Sequence, residues 1–152
     1  MTSDFKNNKF VLILACCILM SVMACQNPIN SNTSKSDNTQ LNEQDLTLNQ
    51  GQKWQINKEM LPFIQAQENR LNAYINSKDS NYIALANSLN ITNQKLIKSC
   101  TMTGESHEQL HHWLHPHIQL IDQLQKTEYL QASDSIIKQI QSSFNLYHQY
   151  FQ

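Results

Sequence analysis

The chain has 152 residues, of which 40% are hydrophobic and 15% are charged, and its formal net charge is −1 with histidine neutral. From Cys25 onward, nine Lys and Arg residues stand against eleven Asp and Glu residues. This balance excludes a strongly basic nucleic-acid-binding protein, because phosphate recognition needs a clear basic patch.

The N-terminus has the pattern of a secretory signal peptide. Lys6 and Lys9 form a short positively charged region. It is followed at positions 10–24 by a continuous apolar run, FVLILACCILMSVMA. A run of this length suits the apolar region of a signal peptide and falls short of the ~20 residues that cross a bilayer. An uncleaved N-terminal anchor is the alternative.

The apolar run ends in VMAC at positions 22–25, which resembles a bacterial lipobox. In that family of signals the cysteine receives the lipid and becomes the mature N-terminus. The resemblance implies a signal peptide at 1–24 and a lipoprotein attached to the membrane through acyl chains, such as palmitate, at Cys25. Gln26 follows the cysteine, and in Gram-negative bacteria a residue other than Asp there implies the outer membrane, with the protein facing the periplasm.

Lipidation changes what the four cysteines can do. Cys16 and Cys17 leave with the signal peptide, so Cys100 becomes the only free thiol of the mature protein. Thiols in an oxidising compartment are usually paired. A single one points to a metal ligand, an intermolecular disulfide or a buried cysteine.

The next segment, residues 26–52, is rich in Asn, Ser, Thr and Gln. Such a segment cannot bury enough apolar surface to offset its chain entropy. We therefore predict that residues 25–52 form a flexible linker between the lipid and a single small domain at 53–152. That domain has one Gly and two Pro residues, and its apolar residues follow a helical spacing almost throughout.

Four amphipathic segments predict an all-α, up-down-up-down antiparallel four-helix bundle, because short connections make successive helices antiparallel neighbours. The first segment covers about 57–76, the second ends near Cys100, and the fourth ends the chain. Ser106 and Gln109 fit a capping box that opens the third. Pro116 is expected to face solvent and to kink the third helix without ending it. The predicted inner stripe of this helix comprises His107, Leu110, Leu114, Ile118 and Ile121.

Five of the six histidines lie in SCTMTGESHEQLHHWLHPH, residues 99–117. The antiparallel topology brings this corner to the same end of the bundle as Met60 and His148. Cys100 and His107 are predicted to point inward, and His111 follows at the i, i+4 spacing that lets two imidazoles hold one ion. Thiolate, thioether and imidazole suit Cu(I), and thiolate with imidazole suits Zn(II). The predicted metal ligands are Cys100, His107 and His111, followed by Met102 and Met60.

Each of these residues also has a structural interpretation. A lone Cys100 or Met60 is more often a buried part of the core than a ligand. His112 and His115 are predicted to face solvent, and His117 to lie at the margin of the inner stripe. If these side chains only pack the end of the bundle, the protein is a structural or protein-interaction lipoprotein without a ligand.

The segment C-T-M-x-G-x-x-H-x-x-L-H-x-x-L-x-P at positions 100–116 resembles one in small uncharacterised envelope proteins of Bacteroidota-type bacteria. The similarity extends back through Trp54 and Met60 and so covers most of the predicted domain. That family has no activity to carry over. The matching positions are Cys100, Met102, Gly104, His107, Leu110, His111, Leu114 and Pro116.

The tail NLYHQYF at 145–151 is similar to the C-terminal end of small periplasmic four-helix cytochromes of b type. In those proteins, a Met near the start of the first helix and a His near the end of the fourth hold the haem iron. Met60 and His148 occupy comparable places, so the resemblance implies a b-type haem bundle as a further alternative. Covalent haem of the usual c type is excluded, because the sequence lacks CxxCH.

The sequence gives little support for catalysis. Ser106 and His107 are adjacent, and neighbours on a helix do not face each other. A Gly-rich phosphate loop is also missing. We therefore expect a protein that binds, buffers or senses a metal rather than an enzyme.

Overall fold

Four helices account for most of the domain. The computed structural model describes residues 45–152, so the predicted signal peptide, Cys25 and most of the linker lie outside the described residues. The helices are α1 (Leu61–Ser77), α2 (Tyr82–Ser99), α3 (Glu105–Lys126) and α4 (Leu130–Tyr150). Each packs against the next along the chain, which confirms the predicted four-helix bundle. Within the described residues, no helix is both long and apolar enough to cross a bilayer.

Local sequence sets where most helices begin and end. α1 begins at Leu61 because Pro62 lies in its first turn, where the missing N–H costs nothing. It ends at Lys78, whose φ of 55° takes the chain out of the helix. Asn81 caps α2 by accepting a hydrogen bond from the Ala84 amide at 3.0 Å.

The predicted capping box at the start of α3 is wrong. The N-cap residue is Gly104, which has φ 70° and no side chain to form a cap. Ser106 lies inside the first turn, and its hydroxyl donates back to the Thr103 carbonyl at 3.4 Å. Gly104 occupies this position because a positive φ is accessible to glycine without strain. As predicted, Pro116 lies within α3 and does not end it.

The buried face of α3 overlaps the predicted one but is rotated from it. Leu110, Leu114 and Ile121 are buried as expected, whereas His107 is only half-buried. Trp113 takes the central place: its indole Nε1 donates to the Ser143 carbonyl at 2.8 Å. The buried stripe is therefore rotated away from His107. Its other members are Gln109, His117, Leu120 and Leu124.

His117 was predicted at the margin of the stripe but is fully buried. Its Nδ1 lies 2.9 Å from the Ser143 hydroxyl and its Nε2 lies 3.4 Å from Gln67 Oε1. With Gln67 Oε1 accepting, the ring carries its proton on Nε2, and Nδ1 accepts from Ser143. Burial lowers the pKa of His117 to about 3, because a charged imidazole would lose its hydration.

The folded part begins before the predicted boundary at residue 53. Leu46 is buried, and the Thr47 amide donates to Gln109 Oε1 at 2.8 Å. The Trp54 indole in turn donates to the Thr47 carbonyl at 2.6 Å. Leu46 and Thr47 therefore lie against the bundle, and the burial of the Leu46 side chain favours this contact.

Backbone hydrogen bonds join the segment just before α1 to the C-terminal end of α4. The Trp54 amide donates to the Tyr150 carbonyl at 2.7 Å, and the Gln152 amide donates to the Trp54 carbonyl at 2.9 Å. The Ile56 amide donates to the Gln152 carbonyl at 3.1 Å. These bonds join the segment before α1 to the end of α4, two regions that are remote in sequence.

The buried His117 predicts a specific loss of stability in acid. Its pKa is lower in the folded state than the usual 6.5, so protons bind preferentially to the unfolded chain as the pH falls below 6.5. The contribution of neutral His117 to the free energy of unfolding is fully present above pH 6.5 and declines towards pH 3. At pH 5 this contribution has fallen by about 2 kcal/mol. Chemical denaturation at pH 7.5 and pH 5 measures this difference in the free energy of unfolding.

His117→Gln should flatten this pH dependence, because it removes the group that titrates while keeping a polar side chain beside Ser143. His112→Gln is the matched control, since His112 is exposed on the same helix, and it should leave the dependence unchanged. Equal pH dependence for His117→Gln and the natural chain would contradict the assignment.

Candidate metal centre

Four of the five predicted metal ligands line one cavity at the α2–α3 corner. This inner cavity has a volume of about 250 Å³. Cys100 and Met102 are half-buried and pack against the core, and His107 and His111 approach from α3. The rest of the lining is His115 and the apolar side chains of Ile97, Leu110, Leu114 and Ile118.

Met60 and His148 lie elsewhere. Met60 is fully buried in the hydrophobic core and does not line the inner cavity. His148 is about half-exposed, with its Nε2 at 2.7 Å from Glu68 Oε1 of α1. The rings of Tyr147 and Phe151 stack at 5.4 Å and fill the core beside it. The interpretation of Met60 as a core residue fits its position, and the haem alternative stays a prediction.

Three histidines of α3 form a continuous ridge. His111 Nε2 lies 2.9 Å from His107 Nε2, and His111 Nδ1 lies 2.8 Å from His115 Nε2. The rings meet edge to face, with centroids 4.4 Å and 4.5 Å apart. His115 is exposed, as predicted, and is the third member of the ridge. Its signal in the sequence was the i, i+4, i+8 spacing, which places all three residues within about 80° around the helix.

The middle position of the ridge favours a neutral imidazole. Burial lowers the pKa of His111, and the neighbouring His115, His107 and His112 lower it further. A neutral imidazole has one N–H and one free lone pair. His111 therefore donates from one ring nitrogen and accepts at the other, which makes the ridge a directional chain of hydrogen bonds.

Ligand spacing in the ridge is close to that of a metal site. Two nitrogens bound to one tetrahedral ion, each at 2.0–2.1 Å, lie about 3.3 Å apart. The Nε2 atoms of His107 and His111 would need to move apart by about 0.4 Å, from 2.9 Å, to bind one ion between them. Among residues 45–152, no set of three or more His, Cys, Asp or Glu side chains already converges on one point. The ring nitrogens of the ridge lie close to one another in pairs and not in a group of three.

Asn57 holds the corner that carries the sulfur atoms. Its Nδ2 donates to the Ser99 carbonyl at 2.9 Å, and its Oδ1 accepts from the Thr101 amide at 3.3 Å. One side chain before α1 thus brackets Cys100 on both sides. The backbone of Cys100 is also tied to α2 through its amide, which donates to the Ile97 carbonyl at 3.3 Å.

A second cavity lies on the other side of the ridge. This outer cavity has a volume of about 600 Å³ and shares His107, His111 and His115 with the inner one. Its remaining lining differs in chemistry, with carboxylates and an imidazole in place of the two sulfur atoms. These residues are Asp45, Glu108, His112 and Pro116.

In comparisons with known proteins, no protein family model, no curated protein and no solved structure matches the chain. The resemblances to envelope proteins and lipoprotein signals stay predictions.

The ridge predicts an unusual titration for His111 in the metal-free protein. Its imidazole should titrate below the usual pKa of 6.5, because burial and three neighbouring imidazoles oppose its charge. His115→Gln removes one of these neighbours and should raise the pKa of His111. Histidine ring resonances followed by NMR against pH provide the measurement. A His111 pKa that stays at its natural-chain value in His115→Gln would contradict this coupling.

Proposed function

We propose that the protein binds a transition metal in the inner cavity, with Cu(I) as the first candidate and Zn(II) as the second. The observation that carries the proposal is that Cys100, Met102, His107 and His111 all line one cavity. Residues from the end of α2, the connection and the start of α3 contribute to it. Met60, buried elsewhere in the core, is left out of the ligand set.

The donor set supports copper first. A cysteine thiolate and a methionine thioether are soft ligands that select Cu(I), and imidazole serves copper as well as zinc. Cys100 would lose its proton on binding, since the thiolate is the metal ligand. The apolar side chains of Ile97, Leu110 and Ile118 line the same cavity. They would limit the access of water to the bound ion.

The proposed role is metal binding, buffering or sensing by a lipid-anchored envelope protein. The signal-like N-terminus and the VMAC segment support attachment through Cys25. The donor atoms lie in a half-buried cavity at the α2–α3 corner, where an ion can enter from solvent without unfolding of the bundle.

The alternative, an interaction protein without a ligand, is favoured by exposed apolar side chains at the other end of the bundle. Tyr129 and Leu130, between α3 and α4, are 73% and 63% exposed. Ile75 and Ile83 of the α1–α2 region are also exposed, and Tyr82 links the two regions by donating to the Thr127 carbonyl at 3.2 Å.

Copper binding can be tested on the full chain with Cys16, Cys17 and Cys25 changed to Ser, which leaves Cys100 as the only thiol. Titration with Cu(I) under anaerobic, reducing conditions against a chromophoric Cu(I) chelator should show one tight site. Cys100→Ser and His107→Gln should each weaken binding by more than about 100-fold, since loss of even an outer partner of a ligand costs 10–100-fold.

His148→Gln is the matched control, because His148 lies at the surface outside the inner cavity. Its affinity for Cu(I) should equal that of the parent chain. Weak, sub-stoichiometric uptake that Cys100→Ser leaves unchanged would refute the copper site and favour the interaction alternative.

Lipid attachment makes an independent prediction. Cells expressing the chain should incorporate radiolabelled palmitate into it, and Cys25→Ser should abolish the label and block cleavage after residue 24. Cys16→Ser is the control, because the segment ILAC that ends at Cys16 has an apolar run of only residues 10–12 before it. Equal labelling of the Cys25→Ser protein would disprove anchoring at this residue.

A further inference from the structure

The histidine ridge divides two cavities of different chemistry. The inner cavity offers the sulfur atoms of Cys100 and Met102, whereas the outer one offers the carboxylates of Asp45 and Glu108 and the imidazole of His112. The three ridge histidines line both. Sulfur ligands select soft ions such as Cu(I), while imidazole and carboxylate suit borderline divalent ions such as Zn(II).

We propose that the outer cavity holds a second metal site for a borderline divalent cation, represented by Zn(II), and that this site and the inner Cu(I) site exclude each other through His111. The primary ligands are His111 Nδ1 and His115 Nε2, and His112 and Asp45 lie beside them in the lining. The inference rests on the proposed function, because it takes the inner ion to be bound by the same imidazole.

The geometry of the outer pair is close to that of the inner pair. His111 Nδ1 and His115 Nε2 are 2.8 Å apart, a hydrogen-bond distance that opens to about 3.3 Å around a tetrahedral ion. Both residues are on α3, one turn apart, so a change of side-chain torsion is enough. The outer cavity, at about 600 Å³, has room for the ion and its water ligands.

Exclusion follows from the single lone pair of a neutral imidazole. An ion between His107 and His111 occupies His111 Nε2, so the proton must sit on Nδ1 and donate to His115. An ion on the outer side occupies Nδ1 and moves the proton to Nε2, which then donates to His107. One neutral His111 can serve either side and not both. The softness of the ion decides which side is filled.

The arrangement also gives a role to the histidine of the ridge that does not bind the ion. When the inner site is filled, His115 accepts the Nδ1 proton of His111 and orients that ring, the role that second partners of metal-bound histidines commonly have. When the outer site is filled, His107 accepts instead. Each site is therefore supported by a histidine that is a ligand of the other site.

The experiment uses the full chain with Ser at positions 16, 17 and 25, kept anaerobic. Zn(II) affinity is measured against a chromophoric zinc chelator, and the bound ions are counted by native mass spectrometry. We expect one Zn(II) per chain, and one equivalent of Cu(I) should displace it. His115→Gln should weaken Zn(II) binding at least tenfold with a smaller effect on Cu(I), because the Gln oxygen can still accept the Nδ1 proton of His111. Cys100→Ser should do the reverse. His111→Gln should weaken both.

His148→Gln again serves as the control, and circular dichroism checks that each variant keeps its helices. Zinc binding that is independent of His115, or simultaneous binding of one Cu(I) and one Zn(II), would overturn the proposal. Zinc binding that depends on His115 without any copper binding would refute the inner copper site and the exclusion, while supporting the outer site. The failure of one proposal is thus distinguishable from the failure of the other.

Discussion

The packing of Trp113 against α4 fixes the rotation of α3, and the candidate site depends on that rotation. Its indole donates to the Ser143 carbonyl and stacks on His117 at 4.9 Å, while the Tyr147 ring lies at the same distance on α4. A buried tryptophan with a satisfied N–H permits little change in position. Because Trp113 and His117 face the core, His111, about 160° around the helix from Trp113, must lie at its border with solvent.

The polar groups in the core restrict the bundle to one alignment. Each helix contributes a buried polar residue: Gln67, Asn93, His117 and Ser143. His117 bonds to partners on α1 and α4, whereas Gln67 Nε2 and both polar atoms of Asn93 have no protein partner among the described residues. An unpaired buried group costs about 1–3 kcal/mol, so a slipped helix would lose the bonds of His117 and gain further unpaired groups.

The helices and their order could be predicted from the sequence, because apolar spacing and few Gly or Pro residues leave one simple solution. The rotation of α3 could not, since the predicted stripe runs through His107, Leu114 and Ile118 and leaves out Trp113. With Trp113 inward, the same periodicity moves His117 into the core. The capping-box error has a similar origin: Ser106 and Gln109 fit the motif, but Gly104 with its positive φ already begins the helix. Such backbone preferences override a side-chain motif.

The candidate site combines two independently fixed supports. Asn57 brackets Cys100 through the backbone on either side, and Trp113 sets the direction of the histidine ridge. Neither support uses a candidate ligand, so both persist whichever ion is present. Sulfur and nitrogen donors are therefore held at one corner by parts of the chain that need not move when an ion enters. For the proposed ions to bind, only side-chain torsions in the ridge would have to change, and selectivity between the two cavities would come from ligand chemistry rather than from refolding.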